Sequence, residues 1–282
     1  MKQNIILASD STTDLNQELI ARYDLKILPL SVALAGKSYA DGREIDPDTI
    51  YRHYEQTGEL PKTAAPNMAD FLEFFGEQTA DGSAVLFFTI SSEMSSTYNN
   101  ARMAAEEYPN VYVIDTRNLS TGGGLLVVAA GEMIREGKSA SEIAEKCQAM
   151  TDKVSASFVV DDLEFLHKGG RCSAVAAIGA SLLQLKPCIT VHNGKMGVGK
   201  KYRGKFSAVL PKYIEDQLKD GSAVEPNCIF VTHAGCDEEI YQACVAKVKS
   251  ILPKAQVHIT RAGCTISSHC GRNTLGVLFV RK

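Results

Sequence analysis

The chain has 282 residues, 45% of them hydrophobic and 22% charged, and its formal net charge is −3. That length buries a sizeable core without disulfides or a structural metal, and that composition excludes a disordered chain. The weakly acidic balance argues against a general nucleic-acid or anionic-membrane surface.

From the N-terminus, residues 4–9 predict a buried strand. Asp10-Ser11-Thr12-Thr13-Asp14 then supplies turn and capping residues before an amphipathic helix over 15–22. The opening apolar run is too short for a signal segment or a membrane span, so a cytoplasmic protein is expected. A second strand is expected over 26–34, a turn or hairpin over 36–42, and a helix starting at Asp46-Pro47. The segment Pro61 to Asn67 (PKTAAPN) interrupts the pattern before a helix over 68–78. Residues 83–90 (SAVLFFTI) form a continuous apolar run of the kind buried on both faces of a parallel sheet. Ser91 to Thr97 follows with five hydroxyls in seven residues at the start of a helix over 98–107. Capping needs one or two of them, and the surplus suits an anion. A strand over 111–115, a glycine-rich turn over 118–124 and helices over 125–133 and 139–150 continue the alternation. Gly122-Gly123-Gly124 lacks the spacing of a dinucleotide fingerprint.

The next stretch opens with the strand-like Phe158-Val159-Val160 and a short amphipathic segment over 162–167. Lys168-Gly169-Gly170-Arg171 follows, two glycines flanked by cations. Residues 173–185 carry no charge, which predicts a buried helix, apolar nearly all round, stopped at Lys186-Pro187. An arginine in a glycine turn above such a helix suits an anionic head over an apolar cavity; the plainer reading is a core helix beside a surface arginine. Asn193-Gly194 predicts a hairpin joining strands 188–192 and 196–202. Lys200, Lys201, Arg203 and Lys205 form the one concentrated basic run, either a docking surface for an acidic partner or a solvated strand edge. A helix over 207–218, a strand over 228–232, a helix over 238–251 and a strand over 256–259 come next. A polar loop from Gly263 to Gly271, carrying His269, precedes a final strand over 275–280.

None of the eight cysteines forms a C-x-x-C pair, which removes thioredoxin-like and zinc-ribbon readings. Cys172 adjoins Arg171 and Cys270 adjoins His269, so a Cys/His nucleophilic pair stays open. No Walker loop, metal cluster, nucleophile elbow or paired-carboxylate motif is present. Thr63, the hydroxyls of Ser91 to Thr97, Arg171 and His269 instead lie on four loops beside buried elements. Together they suit a carboxylate: arginine offers a fork of donors with permanent charge, hydroxyls add neutral donors, and histidine donates without committing a full charge.

Taken in order, SDSTTDL, KTAAPN, TISSEMSSTY, FVVDDLEFLHKGGR, the apolar run ending LLQLKP, and SSHCGRNTLGVLFV resemble the DegV family along the whole chain. The likeness is to its fatty-acid-binding (FakB) members, subunits of bacterial fatty acid kinase. The resemblance implies two α/β domains, over 1–153 and 154–282, with parallel-rich sheets flanked by helices and a ligand tunnel in the C-terminal domain near the junction. It implies a non-catalytic carrier without cofactor or metal, one that presents a long-chain fatty acid to a separate ATP-dependent kinase for acyl phosphate formation. Carried over by motif, the carboxylate ligands are Thr63, Ser92, Arg171 and His269, with Ser95 as the alternative serine. Ile178 and Leu182 fall on the tunnel wall, and Lys200, Lys201, Arg203 and Lys205 on the kinase-docking face. No nucleic acid and at most transient membrane contact are expected. The chain departs from the family at Ala64-Ala65, Glu93, Ser96, Gly263-Cys264 and Gly271-Arg272-Asn273, which shape loops rather than head-group contacts. Burying a tail of about 14 methylenes releases roughly 10 kcal/mol before entropic losses, which only a deep apolar tunnel captures. Two other functions compete: an enzyme using Cys270 or Cys172 with His269 on an acyl or small carbonyl substrate, and a phosphosugar or hydroxyketone binder, since dihydroxyacetone kinases are distantly similar in fold and also use a histidine.

Overall fold

The structure is a computed structural model that describes residues 4–172 and 185–282. The helix expected over 173–185, with Ile178 and Leu182, therefore lies outside the described residues except for Leu185, which opens a strand.

In the first half, β1 (Ile5–Asp10), α1 (Gln17–Arg22), β2 (Lys26–Leu28), β3 (Ser31–Leu34), β4 (Lys37–Ala40), α2 (Pro47–Thr57) and β5 (Lys62–Ala64) come first. They are followed by α3 (Met68–Thr79), β6 (Ala84–Thr89), α4 (Thr97–Ala105), β7 (Val111–Asp115), α5 (Thr121–Arg135) and α6 (Ala140–Met150). The second half runs β8 (Val154–Val160), α7 (Glu164–Gly169), β9 (Leu185–His192), β10 (Lys195–Arg203), α8 (Phe206–Gln217) and β11 (Val224–Ala234). It ends with α9 (Glu238–Ile251), β12 (Val257–Arg261), α10 (Cys264–Cys270) and β13 (Thr274–Arg281).

The fold is mixed α/β. Strands β2-β1-β6-β7 form a parallel sheet, and β4-β3-β5 a small antiparallel one. The single strand expected over 26–34 is thus two strands in different sheets. Pro29, which has no N–H for a ladder, lies at the break. The six-stranded sheet, ordered β10-β9-β8-β13-β11-β12, is antiparallel apart from the β11–β12 pair. Parallel pairing needs a long crossover, which α9 supplies between β11 and β12. Strands β9 and β10 are joined instead by a two-residue turn, with Asn193 at φ 49° and Gly194 at φ 80°.

Helix α5 explains how the two larger sheets share a core. It touches β1 and β6 on one side and β8, β11 and β13 on the other. One cluster accordingly joins Leu7, Leu86 and Phe88 to Leu125 and Leu126 and on to Ala156, Phe158, Phe230 and Leu278. A helix so enclosed must be apolar all round, as its Leu-Leu-Val-Val-Ala-Ala run is. Gly122, Gly123 and Gly124, expected in a turn, lie in its first turn. The reason is crowding: a Cβ at Gly124 would stand 2.9 Å from the Thr13 carbonyl oxygen. Helices α3 and α4 cover the outer face of the parallel sheet, and α8 and α9 that of the six-stranded sheet. Among the described residues, no helix is long and apolar enough to cross a membrane.

Candidate functional site

The carboxyl ends of β1 and β6 meet at one edge of the parallel sheet, the usual ligand side of such sheets. Asp10 at the end of β1 ties the two together, its Oδ2 accepting from Ile90 N at 2.7 Å. The small sheet stands over this edge and presents Thr63 on β5, opposite Val32. From the second half, α7 ends at Gly170, whose φ of 67° turns the chain to Arg171. The segment expected as a loop over 263–271 is largely helix α10, and it carries His269.

These elements enclose a cavity of about 360 Å³. Leu30, Ile90, Leu119, Phe158, Leu166 and Cys270 are buried in its wall. Thr63, Ser95, Ser96, Arg171 and His269 also line it and are none of them fully buried, whereas Thr265 is a buried polar residue of the wall, so most of the polar lining is nearer solvent than most of the apolar lining. A smaller pocket of about 30 Å³ shares Leu119, Phe158, Ile266 and Cys270 with the cavity, which extends the apolar space toward Gly276 and Leu278.

His269 Nε2 lies 2.8 Å from Thr63 Oγ1. Its Nδ1 is buried without a hydrogen-bond partner and faces Gly169, where a Cβ would stand only 2.6 Å away. Glycine at 169 is therefore a condition for the ring's place. Burial, and secondarily the nearby Arg171, push the imidazole pKa down to about 4, so the ring is neutral at physiological pH. A buried N–H without an acceptor is rarer than a bare acceptor, which puts the proton on Nε2. Nε2–H then donates to Thr63 Oγ1 and leaves the Thr63 hydroxyl proton free to donate into the cavity. Arg171 donates to the Gly169 carbonyl at 2.8 Å and has no ion pair among the described residues. Ser95 Oγ accepts from Thr97 N at 3.2 Å and lies 2.8 Å from Thr97 Oγ1.

Ser92 is not brought to the cavity. Its Oγ accepts from Arg117 at 3.2 Å and its N–H donates to Asp115 at 3.2 Å, and of the two candidate serines in this turn it is Ser95, next to Ser96, that lines the cavity. Ser91 instead donates to the Gly194 carbonyl at 2.7 Å, and Arg117 donates to that of Asn193. The surplus hydroxyls of this turn are therefore divided between docking the β9–β10 hairpin and lining the cavity. In the basic run, Lys200 pairs with Asp216 at 2.6 Å, whereas Lys201, Arg203 and Lys205 are exposed and have no ion pair among the described residues. Cys270 is buried, and burial pushes its thiol up to about 12, far from a thiolate at neutral pH.

Sequence reasoning missed the apolar wall residues contributed by other elements, such as Met94, Leu119, Met196 and Ile266. It also missed Asp41, whose carboxylate accepts from Cys264 N at 2.8 Å and Thr265 N at 3.2 Å at the start of α10. No local signal marks that role, because the partners lie 223 and 224 residues away.

Fold and site together define a class: an α/β protein whose sheets share a core and enclose an apolar cavity with a cationic, hydroxyl-lined mouth. The family model described as "Uncharacterised protein, DegV family" matches residues 4–282, and the chain belongs to the DegV family. A DegV domain-containing protein of Clostridium acetobutylicum is 32% identical, over 99% of this chain and 100% of its own length. Among solved structures, a fatty-acid-binding DegV family protein from Thermus thermophilus has a TM-score of 0.91 at 30% identity, over 99% of this chain and 100% of that one. DegV of Bacillus subtilis, described as a fatty acid binding protein, has a TM-score of 0.87 at 28% identity with the same coverage.

Proposed function

We propose that this protein binds a long-chain fatty acid, holds the carboxylate at the mouth with Thr63, Ser95, Arg171 and His269, and buries the acyl tail in the apolar cavity. The observation that carries this reading is a cavity that combines a buried apolar wall with the partly exposed polar groups of Thr63, Ser95, Arg171 and His269. The mouth supplies donors and the Arg171 guanidinium, which has no ion pair among the described residues, as an anion needs if its desolvation is to be offset. Thr63, polarised by His269 Nε2–H, donates to one carboxylate oxygen, and Arg171 supplies the charge. The interior rewards methylenes at about 0.8 kcal/mol each. A phosphosugar would gain nothing from it, and the high pKa of Cys270 weighs against covalent catalysis. The similar proteins of Thermus thermophilus and Bacillus subtilis, both described as fatty acid binding, support the same ligand class.

The finer reading is that the protein does no chemistry itself and delivers its ligand, as the FakB subunits do, to an ATP-dependent kinase that phosphorylates the carboxylate. Lys201, Arg203 and Lys205, exposed on and just beyond the edge strand β10, suit docking to an acidic partner surface. Titration of delipidated protein with long-chain fatty acids, small hydroxyketones and sugar phosphates tests the ligand class. Saturable binding of the fatty acid alone is expected, and binding of the phosphorylated or hydroxyketone ligands in its place would refute it. Adding a bacterial fatty acid kinase subunit and ATP to the loaded protein then tests the delivery, with acyl phosphate as the product.

A further inference from the structure

Helix α10 is fastened at both ends to the small sheet. Near its C-terminus, His269 Nε2 meets Thr63 Oγ1 of β5 at 2.8 Å. At its N-terminus it meets Asp41, the residue directly after β4. There Asp41 Oδ1 accepts from Cys264 N at 2.8 Å, and Oδ2 accepts from Thr265 N at 3.2 Å and Thr265 Oγ1 at 2.6 Å. Asp41 is itself fixed: Ser11 Oγ donates to Oδ2 at 2.9 Å, and the Asp41 N–H donates to the carbonyl of Leu30 at 2.9 Å. Leu30 lines the cavity. Asp14 adds a second hold beside it, accepting from Gly263 N at 2.8 Å and from Ser120 Oγ at 2.5 Å. Asp41 is 3% exposed and has no ion pair among the described residues, so its only compensation is this set of donors.

A helix of seven residues has almost no stability of its own, and tertiary anchors decide where it lies. Its first N–H groups have no partners inside the helix, and Asp41 takes two of them. A displacement there is carried along the helix to His269, whose ring has little room to adjust because it is confined between Thr63 and Gly169. We infer that Asp41 is a positioning residue for the carboxylate site: by holding the start of α10 on the sheet that bears Thr63, it sets the distance between His269 and Thr63. The inference rests on the fatty acid reading only for its affinity readout.

The test uses the full-length protein with Asp41→Asn and with Ser11→Ala, a milder change at a residue that does not itself line the cavity, which removes one donor to Asp41 and the acceptor of the Leu30 N–H. Three quantities are read: the His269 ring nitrogen resonances without ligand, assigned with His269→Gln, the Kd for a long-chain fatty acid, and the Tm. In Asp41→Asn the ring resonances should move and the Kd should rise about tenfold, the worth of roughly one hydrogen bond. Ser11→Ala should move both in the same direction by less, and it decides the matter alone if Asp41→Asn does not fold. Unchanged resonances and affinity in a folded variant, whether or not Tm falls, would reduce Asp41 to a stability element and overturn the inference. If the unaltered protein binds no fatty acid, the ligand reading fails, while the ring resonances still judge Asp41.

Discussion

Two groups of polar side chains sit at the two ends of α10, and they differ in whether the protein satisfies them. At the N-terminal end, the buried carboxylates of Asp10, Asp14 and Asp41 take their hydrogen bonds from the chain itself. At the C-terminal end stand donors with capacity to spare: Arg171 has no ion pair among the described residues, and the Thr63 hydroxyl, which accepts from His269 Nε2–H, is free to donate inward. Acceptors completed by protein donors hold a fold together. Donors left incomplete around an apolar cavity are what a bound anion completes, so the second group marks the site and the first supports it.

The largest expected effect lies in the first group. Burial raises the Asp10 pKa from 3.8 to about 6, despite hydrogen bonds from Thr12 and Ile90 that act the other way. A carboxyl with a raised folded-state pKa contributes stability that is full below about pH 4 and is lost as pH rises through about 6. At 1.36 kcal/mol per pKa unit this amounts to roughly 3 kcal/mol. Urea unfolding of the unaltered protein and of Asp10→Asn should therefore differ by an amount that shifts against the unaltered protein across that window. A difference independent of pH would mean that Asp10 is not held at a raised pKa.

The second group responds to ligand rather than to stability. Arg171→Ala removes the charged donor from the mouth, and charge-assisted hydrogen bonds are worth roughly 1.5–3 kcal/mol, so fatty acid affinity should fall about tenfold to hundredfold with little change in Tm. Equal affinity in a titration would remove Arg171 from the site. Gly169→Ala should cost about 1 kcal/mol of binding, because the added methyl displaces the His269 ring. The ring nitrogen resonances should move with it, and an unmoved ring with full affinity would show that the contact relaxes elsewhere. The smallest effect is expected at the basic run. Lys201→Glu combined with Arg203→Glu should leave bound lipid unchanged and slow acyl phosphate formation with a kinase subunit, more at low than at high salt, since exposed charges are screened over about 8 Å at physiological ionic strength. Loss of lipid in that variant would assign the run to the ligand site, and normal transfer at every salt concentration would leave it a solvated edge.

Much of the fold is legible where a local pattern has a local cause. Ser139 with Glu142 forms a capping box, Asn193-Gly194 makes the hairpin turn, and the SAVLFFTI run is a central parallel strand. The misreadings occur where distant packing overrides local preference. Gly122 to Gly124 resemble a turn until the loop after β1 requires them inside a helix. Gly263 to Gly271 resemble a polar loop, because the carboxylates that stabilise the start of α10 are more than 220 residues away. Thr63, Arg171 and His269 are grouped in the sequence by the chemistry a carboxylate needs and by the family resemblance, since no periodicity links β5, the turn after α7 and α10. The turn at 91–97 is legible as rich in hydroxyls, but that Ser95 and Ser96 rather than Ser92 line the cavity goes with Arg117, whose bond to Ser92 no spacing reveals.

The central claim, that the divided cavity holds a long-chain fatty acid, is tested most directly by mass spectrometry of the organic extract of purified full-length protein, quantified per mole of chain. A near-stoichiometric long-chain fatty acid, depleted in Arg171→Ala, is the expected result. An extract without fatty acid from protein that also fails to take one up when supplied would contradict the account.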